Sequence, residues 1–197
     1  MNKEEQILKL LEKNNGILTI EEVNYNNINT IFLTRLVREG KIERIKKGLY
    51  VLPNTWGDEY FNTIYGNNAI YSYDTALYFL NLCQSVPHIY NITVNRGYNG
   101  SLKNNKKVIL HFVRKEVFDI GKIEIKSPQG QIVKIYNAER CICDLLKDKE
   151  YQDIETIKYA INEYLNDKNK RDIPKLIEYS KIFNVEKDIN KYLEVLM

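Results

Sequence analysis

The residues best able to do chemistry near the start of this chain are four cations, Arg35, Arg38, Lys46 and Lys47. All four fall in one stretch, IFLTRLVREGKIERIKKGLYVL, at residues 31–52. Their chemistry is non-covalent: guanidinium and ammonium groups neutralise phosphates and donate hydrogen bonds to base edges. Two of them sit on the polar side of an apolar helical pattern that stops at Gly40. The pattern runs at once into two β-prone segments, Ile42–Lys46 and Leu49–Leu52, reversing at Lys46-Lys47-Gly48. A basic helix followed by a basic hairpin suits the major groove and neighbouring phosphates of duplex DNA, the geometry of a winged helix-turn-helix.

Helical periodicity separates a core face from a working face. Phe32, Leu33, Leu36 and Val37 turn inward, leaving Asn29, Thr30, Thr34, Arg35 and Arg38 toward solvent. Thr30 and Thr34 are candidate base contacts, Arg35 a base or phosphate contact, and Arg38 a phosphate clamp. Lys46 and Lys47 are expected at the hairpin tip, free to follow a phosphate backbone. The competing reading pairs Arg35 and Arg38 with Glu39 or Glu43 on an ordinary solvated surface.

Three short helices must hold this surface. Ile7, Leu8, Leu10 and Leu11 give Glu4–Lys13 a broad apolar face. Thr19, three residues before Glu22, predicts a capping box for a helix over Ile20–Tyr25. Asn29 can cap the third helix, and Gly40 suits its C-terminal end, where positive φ is commonly needed. These elements make residues 1–53 a winged helix-turn-helix domain. Residues 54–69, with WGDEYFNTIY from Trp56 to Tyr65, read as a linker or docking helix.

Residues 70–197 read as an α+β body with a small antiparallel sheet and a helical C-terminal segment. A helix begins at Ser72-Tyr73-Asp74-Thr75. Strands are expected at Ile89–Val94, Val108–Val113, Lys122–Lys126 and Gln131–Tyr136, the last pair joined by a turn at Ser127-Pro128-Gln129-Gly130. From Ala138 onward the pattern is helical, with Asp153 and Asp172 near helix starts, where negative charge suits the dipole.

The body's best functional candidate is its basic loop, RGYNGSLKNNKK. Residues 96–115 hold Arg96, Lys103, Lys106, Lys107, Arg114 and Lys115 and no acid. Arg96, Lys103, Lys106 and Lys107 could add DNA contacts or receive an acidic partner, and residue type does not choose between them. A formal net charge of +3 says little by itself; two separated basic patches say more.

Catalytic patterns are missing from the sequence. Gly97 and Gly100 lack the Lys-Ser/Thr of a phosphate loop, and no serine stands in a nucleophile elbow. His88 and His111 read as structural or surface residues. Cys83, Cys141 and Cys143 lack zinc-ligand spacing, so no metal or other cofactor is expected. Glu139 and Asp144 are about 140° apart around a helix and do not converge, whereas Arg140 and Asp144 can pair at i,i+4. An enzyme is the least favoured class. Free thiols, no signal-like run at MNKEEQ and no apolar stretch of membrane-spanning length predict a cytoplasmic protein without membrane attachment.

Laid out in order, the chain resembles the AbiEi-type antitoxins of type IV toxin–antitoxin systems. The resemblance rests on GILTIEEV, LVREGKIERIKKGLYVLP, YSYDTALYFLNL, ITVNRGYN, IYNAERCICDLL and IEYSKIFNVEKDINKYLEVL. It implies a transcriptional autorepressor binding double-stranded DNA at promoter repeats through its N-terminal domain. It also implies a C-terminal domain that counters a nucleotidyltransferase-like toxin, not necessarily through a stable complex. Tyr73, Asp74, Glu139, Arg140 and Asp144 fall in the motifs matching the antitoxin body. The alternatives are a solitary winged-helix regulator whose body binds a ligand or protein, and a winged domain that binds RNA.

Overall fold

In the computed structural model, the N-terminal helices form at Lys3–Lys13 (α1), Ile20–Tyr25 (α2) and Ile31–Arg38 (α3). The structure describes residues 2–55, 57–168 and 171–196. The Thr19–Glu22 capping box is present in both directions. The Glu22 amide donates to Thr19 Oγ1 at 3.3 Å, and the Thr19 amide to Glu22 Oε2 at 2.8 Å. Asn2 and Glu5 do the same for α1. Ile7, Leu11, Val23, Ile28, Leu33 and Leu36 close a shared core that none of these short helices could bury alone.

A three-stranded sheet completes this unit, in the order β1 (Ile17–Thr19), β3 (Leu49–Val51), β2 (Glu43–Lys46). Both pairings are antiparallel. Alternation along the strands gives the sheet two apolar faces. Leu18 and Tyr50 join the helical core, whereas Ile17, Leu49 and Val51 pack with Phe61 and Tyr65 around a fourth helix, α4 (Glu59–Ile64). Trp56, which the sequence groups with this helix, lies outside the described residues.

The chain divides into two compact units, residues 1–65 with 126–133, and residues 66–125 with 134–197. The inserted segment belongs to the first unit by specific bonds. Ser127 Oγ donates to Asp58, the buried N-cap of α4, and Gln131 Nε2 donates to Asn14 O at 3.0 Å. Asn15 Nδ2 donates to Gln129 O at 3.1 Å.

The second unit is built on β4 (Ala69–Tyr71), α5 (Tyr73–Phe79), β5 (Tyr90–Asn95), β6 (Val108–Val113), α6 (Lys115–Phe118) and most of β7 (Lys122–Lys126) and β8 (Ile132–Tyr136). It closes with α7 (Ala138–Lys147), α8 (Ile154–Asn166), α9 (Ile173–Ile182) and α10 (Glu186–Leu196). The sheet order is β6-β5-β4-β8-β7. The expected antiparallel sheet is corrected to a mixed one. β4 pairs antiparallel with β5 but parallel with β8, and β5 pairs parallel with β6. Residues 96–107 are therefore a crossover rather than a hairpin, and their length is what a parallel connection requires. Asp153 and Asp172 cap α8 and α9, accepting from the Thr156 and Lys175 amides. No described helix is long and apolar enough to cross a membrane.

Candidate nucleic-acid interface

α3 presents the side chains that its periodicity assigns to solvent. Leu33 and Leu36 are fully buried, while Asn29, Thr30, Thr34, Arg35 and Arg38 are exposed. Asn29 is partly spent on structure. Its Oδ1 accepts from the Ile31 amide at 2.9 Å and so caps the helix, a bond that Thr30, the formal N-cap residue, does not make. The helix ends at Glu39, and Gly40 takes the positive φ of 68° expected of it.

Arg35 belongs to a surface charge chain. Its Nε lies 2.9 Å from Glu39 Oε1 and 3.2 Å from Glu4 Oε1, and Glu39 Oε2 is 2.8 Å from Lys41 Nζ. The Lys41 and Arg35 bonds hold the Glu39 carboxyl below its ordinary range, and the Glu39 bond raises the Arg35 guanidinium. Such exposed pairs contribute little stability and exchange partners readily. With 64% of its side chain exposed, Arg35 can trade a carboxylate for a phosphate. Among the described residues Arg38 has no ion-pair partner.

The hairpin corrects one expectation. β2 and β3 pair as Arg44↔Tyr50 and then Lys46↔Leu49, so one extra residue, Ile45, bulges out of β2. Without the bulge, Arg44 and Lys46 would point to the same side. With it, Arg44 shares the face of Tyr50, toward the helices, and Lys46 shares the face of Leu49, toward α4. Lys46 therefore does not stand free at the tip. Its ammonium donates to Asn62 O and, at 2.8 Å, to Tyr65 O, and lies 5.5 Å from the centre of the Tyr65 ring. It caps the C-terminal carbonyls of α4, where a cation is favoured, and burial lowers its pKa.

Lys47 and Arg44 remain exposed, and among the described residues neither has an ion-pair partner. Gly48 makes the reversal at φ 80°. A Cβ there would meet Ile20 Cγ2 at 3.0 Å and Tyr65 Oη at 3.2 Å, so the tip is packed against α2 and α4. Arg44 is the cation that the sequence reading leaves out of the site. Plain strand alternation, which puts Arg44 two residues before Lys46 on one side, is the signal that could have found it. A second addition is a groove of about 360 Å³ beside α1, lined by Lys3, Lys9, Lys13, Asn26 and Ile28. Its clue in the sequence is the i,i+4 spacing of Lys9 and Lys13.

Helix, sheet and exposed cations together describe a basic winged helix-turn-helix. The N-terminal region, residues 5–53, matches the family of transcriptional regulators described as AbiEi antitoxins. Comparison with curated proteins gives no match. The AbiEi-matching region thus holds most of α1 and everything from β1 to β3, including every cation discussed above for the head except Lys3.

Outside the AbiEi-matching region, the expected body residues fall into separate places. Arg96, Lys103, Lys106 and Lys107 are exposed on the β5–β6 crossover. Buried Leu102 and the Leu102 amide's bond to Tyr98 Oη anchor that loop. Tyr73 takes φ 48°, stacks on His111 at 3.9 Å and donates to Asp148. Among the described residues, buried Asp74 Oδ1 has no hydrogen-bond partner, and burial raises its carboxyl. Glu139 accepts from Tyr164 Oη at 2.9 Å, at the edge of a cavity of about 420 Å³ also lined by Leu80, Ile123 and Asp167. Arg140 is fully buried, with Nε 3.0 and 2.9 Å from the two Asp144 oxygens. The Arg140–Asp144 pair is the structural clasp that i,i+4 spacing allows, and Glu139 points elsewhere. Among the described residues, no group of three or more His, Cys, Asp or Glu could hold a metal ion.

Proposed function

We propose that this protein binds double-stranded DNA through its first unit, with α3 in the major groove and the β2–β3 wing along the backbone. The observation that carries the reading is that Arg38, Arg44 and Lys47 are exposed and, among the described residues, lack ion-pair partners on a winged helix-turn-helix whose residues 5–53 match a regulator family. Thr30, Thr34 and Arg35 supply base readout; Arg38, Arg44 and Lys47 supply phosphate contacts. The target is a set of repeats in the protein's own promoter, which makes it an autorepressor. Through its body it acts as the antitoxin of a type IV system and counters a nucleotidyltransferase-like toxin.

Titration of promoter duplex and scrambled duplex at several salt concentrations tests the first part. Thr34→Ala and Arg35→Ala are expected to shrink the preference for promoter sequence by about 1–2 kcal/mol. Equal affinity for the two duplexes in the unmutated protein would reject promoter readout.

The two wing lysines should separate in the same assay. Lys47→Ala is expected to weaken binding to both duplexes alike and to lower the salt slope by about one. Lys46→Ala should leave the slope unchanged and instead cost about 1 kcal/mol of stability, through the lost cap on α4. A slope change with Lys46→Ala equal to that of Lys47→Ala would reject the inward assignment.

Co-expression with a neighbouring nucleotidyltransferase tests the antitoxin part, and growth should recover. A second reading, a regulator whose body takes a small ligand, is favoured by the cavity beside Glu139 and Tyr164. Persistent toxicity with soluble protein would reject neutralisation of that nucleotidyltransferase.

A further inference from the structure

β6 is the outer strand of the five-stranded sheet, and its six residues, VILHFV, carry no acid, lysine, arginine or proline. Its inner side runs parallel to β5 from Tyr90↔Val108 to Asn95↔Val113. The Tyr90 amide donates to Lys107 O at 2.7 Å and the Arg96 amide to Val113 O at 2.8 Å, framing the ladder. Alternation then sends the backbone groups of Ile109 and His111 toward β5 and those of Leu110 and Phe112 outward. Among the described residues no strand pairs with that outer side. Ile109 and Phe112, on opposite faces of the strand, are 47% and 48% exposed. Natural sheets blunt such an edge with a charge, proline or bulge inside the strand, and β6 has none.

Charge stands only at the two ends of the strand. Lys106 and Lys107 precede it, Arg114 and Lys115 follow it, and all four are exposed. This arrangement chooses among occupants. Two copies pairing edge to edge about a two-fold axis run antiparallel. Lys106 and Lys107 of one copy would then face Arg114 and Lys115 of the other, a like-charge opposition. A strand with acids at its ends meets cations at both.

We propose that the outer edge of β6 docks an extended acidic segment of a partner protein. The segment adds a strand to the sheet, with apolar side chains beside Ile109 and Phe112 and carboxylates beside Lys106 and Arg114–Lys115. This surface goes beyond the DNA-binding and antitoxin reading and does not depend on it.

The test uses the full chain, ¹⁵N-labelled, with a synthetic peptide of about ten residues, a length that spans the strand. The peptide has glutamates at both ends and alternating valine and threonine between them. It is expected to slow hydrogen exchange at the Leu110 and Phe112 amides, and its lysine-ended counterpart to leave them unchanged. Lys106→Glu combined with Lys115→Glu should weaken the acidic peptide about tenfold or more. Phe112→Pro should abolish its binding, because that amide faces outward and does not serve β5. If Phe112→Pro fails to fold, the charge-reversed variant decides. The proposal is overturned if the acidic peptide leaves both amides unprotected, or if the lysine-ended peptide protects them equally. It is equally overturned if duplex DNA protects them, or if protection rises with protein concentration alone.

Discussion

Arg140→Ala is expected to destabilise the second unit by about 3–5 kcal/mol, the cost of leaving one partner of a buried ion pair uncompensated. The wild-type guanidinium is fully buried and holds several groups at once. Nε faces both Asp144 oxygens, and Nη1 donates to Val117 O at 2.7 Å and Ile120 O at 2.9 Å. Its Cζ lies over two rings, 4.2 Å from the centre of Tyr136 and 4.1 Å from that of Phe183. Removing it strands a carboxylate and two carbonyls and empties the space beside both rings. Arg140→Lys should recover little, because a point charge cannot fork to two carbonyls or stack flat on aromatics. Replacing Arg140 and Asp144 together with leucine should cost less than Arg140→Ala, since no charge is then left behind. Urea unfolding of the three variants measures this. A loss near 1 kcal/mol for Arg140→Ala would show that water reaches the clasp.

Acidification should reveal the second large effect, through His111. Burial lowers its imidazole to about 4 from an ordinary value of 6.5, with the nearby Asp148 opposing. The ring stacks on Tyr73, and its Nε2 lies 2.8 Å from Asn91 Oδ1. Between pH 6.5 and 4 the unfolded chain takes up a proton that the folded chain refuses. The stability contributed by neutral His111 is therefore complete above pH 6.5 and falls as pH drops toward 4. The largest loss is about 3 kcal/mol. Unfolding of wild type and His111→Gln at pH 7 and 4.5 reads it as a difference. That comparison cancels other titrations, including the Asp144 carboxyl, which burial pushes up to about 6 and which acts in the opposite sense. Parallel pH profiles for the two proteins would contradict the assignment.

Much of the head was legible because its signals are local. Thr19 and Glu22 fix the start of α2, and Leu33 and Leu36 recur at helical spacing on α3. The strands Val108–Val113 and Lys122–Lys126 are long enough to show their pattern, and they form where the sequence places them. β1 and β4 escape sequence reading because three residues carry no periodicity, and both exist by virtue of the strands they pair with. Without β4 the mixed sheet reads as antiparallel. The Ile45 bulge is invisible for a similar reason: only the register against Tyr50 and Leu49 reveals that Lys46 has changed sides. Arg140 shows an intermediate case. Its spacing to Asp144 was readable, but Phe183 reaches it from a distant helix end.

The bond from Ser127 to Asp58 joins positions 69 residues apart within the first unit. During synthesis, the ribosome must therefore pass Gln131 before the first unit has all its parts. A gene fragment cut after the wing encodes α1 to β3 without α4 and without the strap that neighbours Asn14 and Asn15.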